Sequence, residues 1–215
     1  MSKPQTDSPL ISRRVFSAAL AASPLVGTAA WAQSASAILG QPVPDFTAVD
    51  ATGKSHKLSD FKGKTVVLEW TNPNCPFVKK HYMGNMQSLQ KDAAAQGVVW
   101  LAINSTETGS ADYLAPAKLT AWNAEKQATP AAMLMDESGK IGTLYGAKTT
   151  PHMYLIDPKG RLVYAGAIDS VPSARVDDIK TATNYVKQAL TESMGGKPVT
   201  VATSRAYGCS IKYKA

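Results

Sequence analysis

Two periodicities alternate along this chain. Residues 65–70 (Thr-Val-Val-Leu-Glu-Trp) and 98–103 (Val-Val-Trp-Leu-Ala-Ile) are short, β-branched and apolar almost throughout, the pattern of strands buried on both faces of a sheet. Between them Val78, Tyr82, Met86 and Leu89 recur at spacings of four, four and three, which predicts one helix ending at Gly97. Upstream, residues 46–49 and 56–58 flank Asp50-Ala51-Thr52-Gly53 and predict a hairpin. Downstream, a second helix is expected from Pro116, with Leu119 and Trp122 on one face, and residues 131–135 read as a further short strand. Residues 153–156 and 161–165 flank Asp157-Pro158-Lys159-Gly160 as a second hairpin. A closing helix over residues 173–194 carries Ile179, Ala182, Val186 and Leu190 and stops at Gly195-Gly196. This order predicts an α/β fold: a central mixed sheet flanked by helices in three layers, with an N-terminal hairpin added.

The segment ahead of the first hairpin reads differently. Arg13-Arg14 precede a short apolar stretch, residues 16–30, broken by Pro24 and Gly27, and Ala30-Trp31-Ala32 offers the small residues of a cleavage site. Residues 1–32 are therefore expected to be a cleavable leader of the twin-arginine type, directing the protein to the periplasm. Residues 33–40, small and polar, read as a tether, and 41–215 as one domain. Composition adds exclusions. With 215 residues, 44% hydrophobic and 18% charged, the chain is of ordinary globular make-up, and its longest apolar run is too short for a membrane span. Beyond residue 32 the net positive charge is dispersed, with no Lys/Arg run longer than two, which argues against nucleic-acid partners.

The chemistry centres on two cysteines. Cys75 lies in Asn72-Pro73-Asn74-Cys75-Pro76, between a strand and a helix. Pro76 suits the first helical position, so Cys75 falls at the cap, where free N–H groups and the helix dipole favour thiolate. Lys79 and Lys80, one turn on, are expected to add positive charge. A buried, inert cysteine is the plain alternative. Cys209 stands 134 positions away in the tail; a purely structural bridge between the two would remove roughly 4–5 kcal/mol worth of unfolded-chain freedom. Thr150-Pro151-His152 precedes a strand, a place where a cis proline can occur. Glu69, at the end of its strand, is either a proton relay to Cys75 or a satisfied buried carboxylate.

The run Pro44-Asp45-Phe46 through Lys57-Leu58-Ser59-Asp60-Phe61-Lys62-Gly63-Lys64, with Asn74-Cys75-Pro76-Phe77-Val78-Lys79 and Gly208-Cys209-Ser210-Ile211-Lys212, resembles the redoxin (alkyl hydroperoxide reductase/thiol-specific antioxidant) superfamily, in a peroxiredoxin-like branch. The resemblance covers residues 40–213. It implies a thioredoxin-like fold, a redox-active Cys75 facing a cis Pro151, and an exposed backbone edge able to pair with an extended substrate. It implies a thiol oxidoreductase in which Cys75 attacks a peroxide or a protein or low-molecular-weight disulfide. Cys209 then resolves the product, Thr150 and Pro151 shape the docking loop, and Asn72 orients the substrate. An external thiol donor is implied, since no flavin or nicotinamide motif is present and no cofactor is expected. The sequence also departs from the pattern. Cys75 has no Cys-x-x-Cys partner, whether the window is 72–75 or 75–78, and peroxiredoxins carry Thr or Ser where Asn72 stands and an Arg that the Thr150 loop lacks.

Two readings from other classes remain open at this level. Cys75 with His152, near Met133, Met135 and Met153, could form a soft copper site, with His81 on the surface of the Cys75 helix. Alternatively, a structural Cys75–Cys209 bridge could staple a non-catalytic docking domain. No zinc-ligand spacing is present.

Overall fold

The computed structural model describes residues 36–214, together with Met1 and Ser2. The expected leader, apart from those two residues, and the first residues of the expected tether lie outside the described residues. The chain divides into two units, Met1–Ala30 and Trp31–Ala215; the fold is that of the second. No helix of the described residues is long and apolar enough to cross a membrane.

The first hairpin forms as expected from β1 (Thr47–Asp50) and β2 (Ser55–Lys57). Asp50 closes it: its carboxylate accepts from the Thr52 and Lys54 N–H groups and meets His56 Nε2 at 2.6 Å. The apolar runs become β3 (Val66–Trp70) and β4 (Val99–Asn104), paired in parallel. Between them the chain forms α1 (Pro76–His81) and α2 (Asn85–Ala95). The single helix read from the spacing is corrected here. Gly84, at φ +118°, turns the chain out of the helix, yet Val78, Tyr82, Met86 and Leu89 all remain buried on one face.

Further along lie α3 (Pro116–Glu125), β5 (Ala132–Met135), α4 (Lys140–Tyr145), β6 (Thr149–Thr150), β7 (His152–Ile156) and β8 (Leu162–Gly166). The last elements are α5 (Tyr185–Met194) and β9 (Cys209–Ser210). The closing helix is thus shorter than the expected 173–194. Residues Val176–Lys180 form a 3-10 turn, and Asn184 starts α5 by accepting from Lys187 N at 2.9 Å. Its partner segment holds this boundary, with Ser170 N donating to Thr183 O.

The main sheet runs β2-β1-β5-β4-β3-β7-β8, with β3–β4 and β4–β5 parallel and the other pairs antiparallel. On one face Val67, Trp100, Met153 and Leu155 pack under α1, α2 and α5, and Leu119 of α3 covers Ala102 and Met133. On the other, Leu68, Trp70, Leu101 and Tyr154 meet Phe46, Leu58 and α4 through Ile141 and Tyr145. The burial of these apolar side chains, at roughly 25 cal/mol per Å², is the main drive to this arrangement. From Ala37 the backbone already bonds to this body, through Leu144 O and, at Gly40, Leu162 O. β6 and β9 make a separate two-stranded ladder, which brings the tail to the end of the main sheet.

Candidate active site

After β3 the chain turns sharply. Asn72 Oδ1 accepts from Asn74 N at 2.8 Å, and Asn72 O accepts from Cys75 N at 3.0 Å. This turn delivers Cys75 as the cap of α1, with Pro76 at the first helical position, as the sequence predicts. The Asn72 amide is otherwise occupied, donating to Thr106 Oγ1 at 2.9 Å and to the Asp112 carbonyl. Asn72 is buried and acts as a brace between this turn and the 105–112 loop.

Two other elements close on Cys75. The β3–β7 register sets Trp70 opposite His152, so residues 149–151 lie against the Cys75 turn. The Thr150–Pro151 peptide is cis, and the Cys75 thiol donates to the Thr150 carbonyl at 2.9 Å. The tail then pairs with this same stretch, Thr150 opposite Cys209 and Thr149 opposite Ser210. Gly208 permits the approach: at φ +129°, a Cβ there would overlap the Thr150 carbonyl oxygen. The structure therefore brings Cys75, Cys209, Asn72 and Thr150 to one cavity of about 90 Å³. Both cysteines are free thiols, and both line this cavity. Cys209 supplies, from the tail, the second sulfur that the windows 72–75 and 75–78 lack.

The two sulfurs differ in environment. Cys75 is 3% exposed, and burial opposes its ionisation. Hydrogen bonding from the Cys209 and Thr150 side chains and from the Val78 and Cys209 backbone N–H groups outweighs that and holds its pKa below the ordinary thiol value. Cys209, half-buried, is pushed up to about 12 by burial, by its bond to Cys75 and by the Cys75 and Asp112 charges, against a smaller opposing effect of Lys212. Cys75 is thus the more acidic of the two sulfurs. Alkylation of Cys75 should accordingly become rapid at a lower pH than a free cysteine requires. Replacing Cys209 by Ala, which removes the largest of the lowering influences, should move that midpoint upward. Rates of iodoacetamide labelling at Cys75 across pH 5–10 measure both.

Several expectations need correction. Lys80 does not face Cys75. Its Nζ is fully buried, 3.4 Å from Asp169 Oδ2 and 3.3 Å from Val171 O. His81 is buried rather than on the surface, bonded to Tyr207 and Asn85. Burial, helped by Lys80 and opposed by Asp169, lowers its pKa to about 4. His152 does not join Cys75: its ring lies against Tyr154 and its Nδ1 near Lys148 N, whereas Cys75 belongs to the cluster on the opposite face with Met153. Among the described residues no group of three or more His, Cys, Asp or Glu could hold a metal ion. Glu69 is fully buried, accepting from Tyr82 OH and Trp100 Nε1 at 2.8 Å each. Burial raises its pKa in spite of these bonds, and it does not line the Cys75 cavity.

The sequence reading missed Asp169 and Tyr207. Tyr207 OH donates to Asp169 Oδ1 and lies 3.1 Å from His81 Nε2, and Lys80 stands over the Tyr207 ring. This quartet ties the Cys75 helix to the tail two residues before Cys209. Its members come from three distant segments, and no local pattern announces it.

The sequence model of the AhpC/TSA family matches residues 39–165. The chain belongs to the AhpC/TSA family. Among curated relatives, the thiol-disulfide oxidoreductase ResA of Bacillus thuringiensis subsp. konkukian (strain 97-27) is 31% identical over 58% of this chain and 67% of its own length. ResA of Geobacillus thermodenitrificans (strain NG80-2) is 28% identical over 58% and 66%. The chain thus spans about two thirds of the length of these relatives. A crystal structure of a hypothetical protein from Sinorhizobium meliloti 1021 superposes with a TM-score of 0.74 at 28% identity, covering 84% of this chain and 97% of that one. A thiol:disulfide interchange protein from Bacteroides sp., at 22% identity and TM-score 0.51 over 67% and 87%, shares the fold. The AhpC/TSA domain of this chain is thioredoxin-like.

Proposed function

We propose that the protein is a thiol–disulfide oxidoreductase in which Cys75 is the nucleophile and Cys209 the resolving thiol. The observation that carries this reading is the meeting of two free thiols in one cavity, Cys75 at the helix cap and Cys209 opposite Thr150 in the ladder beside cis Pro151. Its relatives' names point the same way.

Atoms and electrons balance in each step. Cys75 thiolate attacks one sulfur of a disulfide RSSR, forming Cys75–S–S–R and expelling RS⁻. Cys209 then gives its proton to solvent or to the departing thiolate and attacks Cys75 Sγ, which releases the second R group as RSH. The protein ends as the Cys75–Cys209 disulfide, oxidised by two electrons, and RSSR as two thiols. An external thiol donor restores the dithiol. In this scheme Asn72 fixes the turn that presents Cys75, Pro76 starts the helix beneath it, and Thr150 bonds to the sulfur.

A second oxidant is favoured by the small size of the cavity, about 90 Å³. With a hydroperoxide ROOH, Cys75 would take the terminal oxygen as sulfenic acid and release ROH, and Cys209 would then close the disulfide with loss of water. The paired arginines and short apolar segment of residues 1–32 support export to the periplasm, where a disulfide couple persists.

Turnover of 2-hydroxyethyl disulfide with an excess of an external dithiol tests the assignment. Cys75→Ser should abolish it, and reduced Cys209→Ser mixed with the disulfide in the absence of dithiol should leave a stable mixed disulfide on Cys75, seen by intact mass. Undiminished turnover by Cys75→Ser would refute the assignment of Cys75 as nucleophile. A Cys75–Cys209 bridge that resists mild reductants would instead mark it as a structural staple.

A further inference from the structure

The resemblance to redoxins implies an open backbone edge beside Pro151. The structure fills it. β6, the stretch just before Pro151, is paired with the chain's own β9, and Ile211 N continues the pairing by donating to Lys148 O at 3.0 Å. An extended polypeptide that docks by adding a strand needs unpaired N–H and C=O groups, and those of 148–150 that face the tail are already satisfied.

The covering strand is fastened on both sides of Cys209. Before it, Tyr207 OH donates to Asp169 and packs edge-on to Phe77 of α1. Gly208 lies so close to Thr150 that no side chain fits. After it, Glu107 N donates to Lys212 O at 2.9 Å. Tyr213 OH donates to Ala147 O at 2.8 Å, and its ring covers Gly139 and Gly142 so closely that a Cβ at either would strike it. What remains open over the sulfurs is the cavity of about 90 Å³ at Asn72, Asn74, Thr106 and Asp112.

We propose that residues 207–213 are a built-in occupant of the Thr149–Thr150 edge, and that they restrict the Cys75–Cys209 pair to low-molecular-weight disulfides by excluding polypeptide disulfides. The inference rests on the proposed thiol–disulfide chemistry and adds the substrate class to it. A small disulfide needs only to bring one sulfur to Cys75 through the cavity. A folded or extended polypeptide carries its disulfide on backbone that collides with β9. Both would react by the same balanced steps, so they differ in access alone.

The test uses the full chain, fully reduced, mixed with either 2-hydroxyethyl disulfide or insulin at equal disulfide concentration. Loss of the free Cys75 thiol is followed by alkylation and mass, and each rate is divided by that of free 2-mercaptoethanol with the same disulfide. The normalised rate should be higher for the small disulfide by about 10²-fold, the factor expected if insulin waits for a tail-open state populated near 1%. Tyr213→Ala, which frees the far end of the tail, should raise the insulin rate relative to the small-disulfide rate at least tenfold. Tyr207→Ala should do the same from the near end, so that misfolding of one variant does not leave the question open; circular dichroism identifies such a variant. Equal normalised rates in the wild-type protein would overturn the proposal. So would an unchanged ratio in a folded variant whose tail amides exchange freely. Failure of both disulfides to oxidise Cys75 would overturn the redox reading itself, a separate result.

Discussion

Gly208→Ala is expected to slow closure of the Cys75–Cys209 disulfide by about 10²-fold, the scale of loss when reacting groups are displaced by an ångström or so. Two constraints act together at this position. The backbone lies at φ +129°, where a side chain is strained, and a Cβ would overlap the Thr150 carbonyl oxygen, which is backbone and cannot rotate aside. The tail must therefore lift from β6, and Cys209, opposite Thr150 in the ladder, leaves with it. The main sheet does not involve Gly208, so stability should change little by comparison. Stopped-flow oxidation of the reduced variant, with alkylation of the quenched samples, separates the effects. The expected pattern is modification of Cys75 followed by a long-lived mixed disulfide. Closure at the wild-type rate would show that the ladder does not position Cys209.

Asp169→Ala is expected to lower stability by about 3–5 kcal/mol, the cost of leaving a buried charge without its partner. Lys80 and Asp169 side chains are 0% and 2% exposed, and the Asp169 carboxylate also accepts from Tyr207 OH and Val171 N. At about 2–4 °C per kcal/mol for a domain of this size, the midpoint of thermal unfolding should fall by roughly 10 °C. Removing both charges, as Asp169→Leu with Lys80→Met, should be much less harmful than Asp169→Ala alone, because no unpaired ammonium then remains buried. Thermal melts of the single and double variants measure this. A double variant as unstable as the single would show that the hydrogen bonds of Asp169, rather than its charge, hold the quartet together.

What the sequence reveals and what it conceals follow from the range of the interactions. Residues 65–70 and 98–103 are legible as strands because burial on both faces leaves no polar position in the middle except Glu69, and that one is compensated by Tyr82 and Trp100. The placement of Cys75 is legible because strand, turn, cysteine and Pro76 are consecutive. The break at Gly84 is concealed because the apolar spacing from Val78 to Leu89 carries on across it: the two short helices bury one common face. The closing helix reads too long because Ile179 fits its spacing, although this residue sits in a 3-10 turn and is only half-buried. α4 was missed, although Ile141, Leu144 and Tyr145 have helical spacing and Asp136 receives the Ile141 and Gly142 N–H groups. Cys209 is recognisable as a second sulfur, but its position beside Cys75 depends on a two-residue ladder and a distant quartet. For the same reason the expected open edge proved to be covered: a strand of two residues leaves no periodicity to read.

The proposed activity depends on Cys75 and Cys209 forming a reversible couple. The most direct measurement equilibrates the full chain in glutathione buffers from fully reducing to fully oxidising, quenches in acid, alkylates free thiols and maps the peptides. The predicted result is one cross-linked peptide joining Cys75 to Cys209, rising along a single two-electron curve as both free thiols disappear together. Thiols that stay free and alkylatable at the oxidising end, or a bridge that persists at the reducing end, would contradict it.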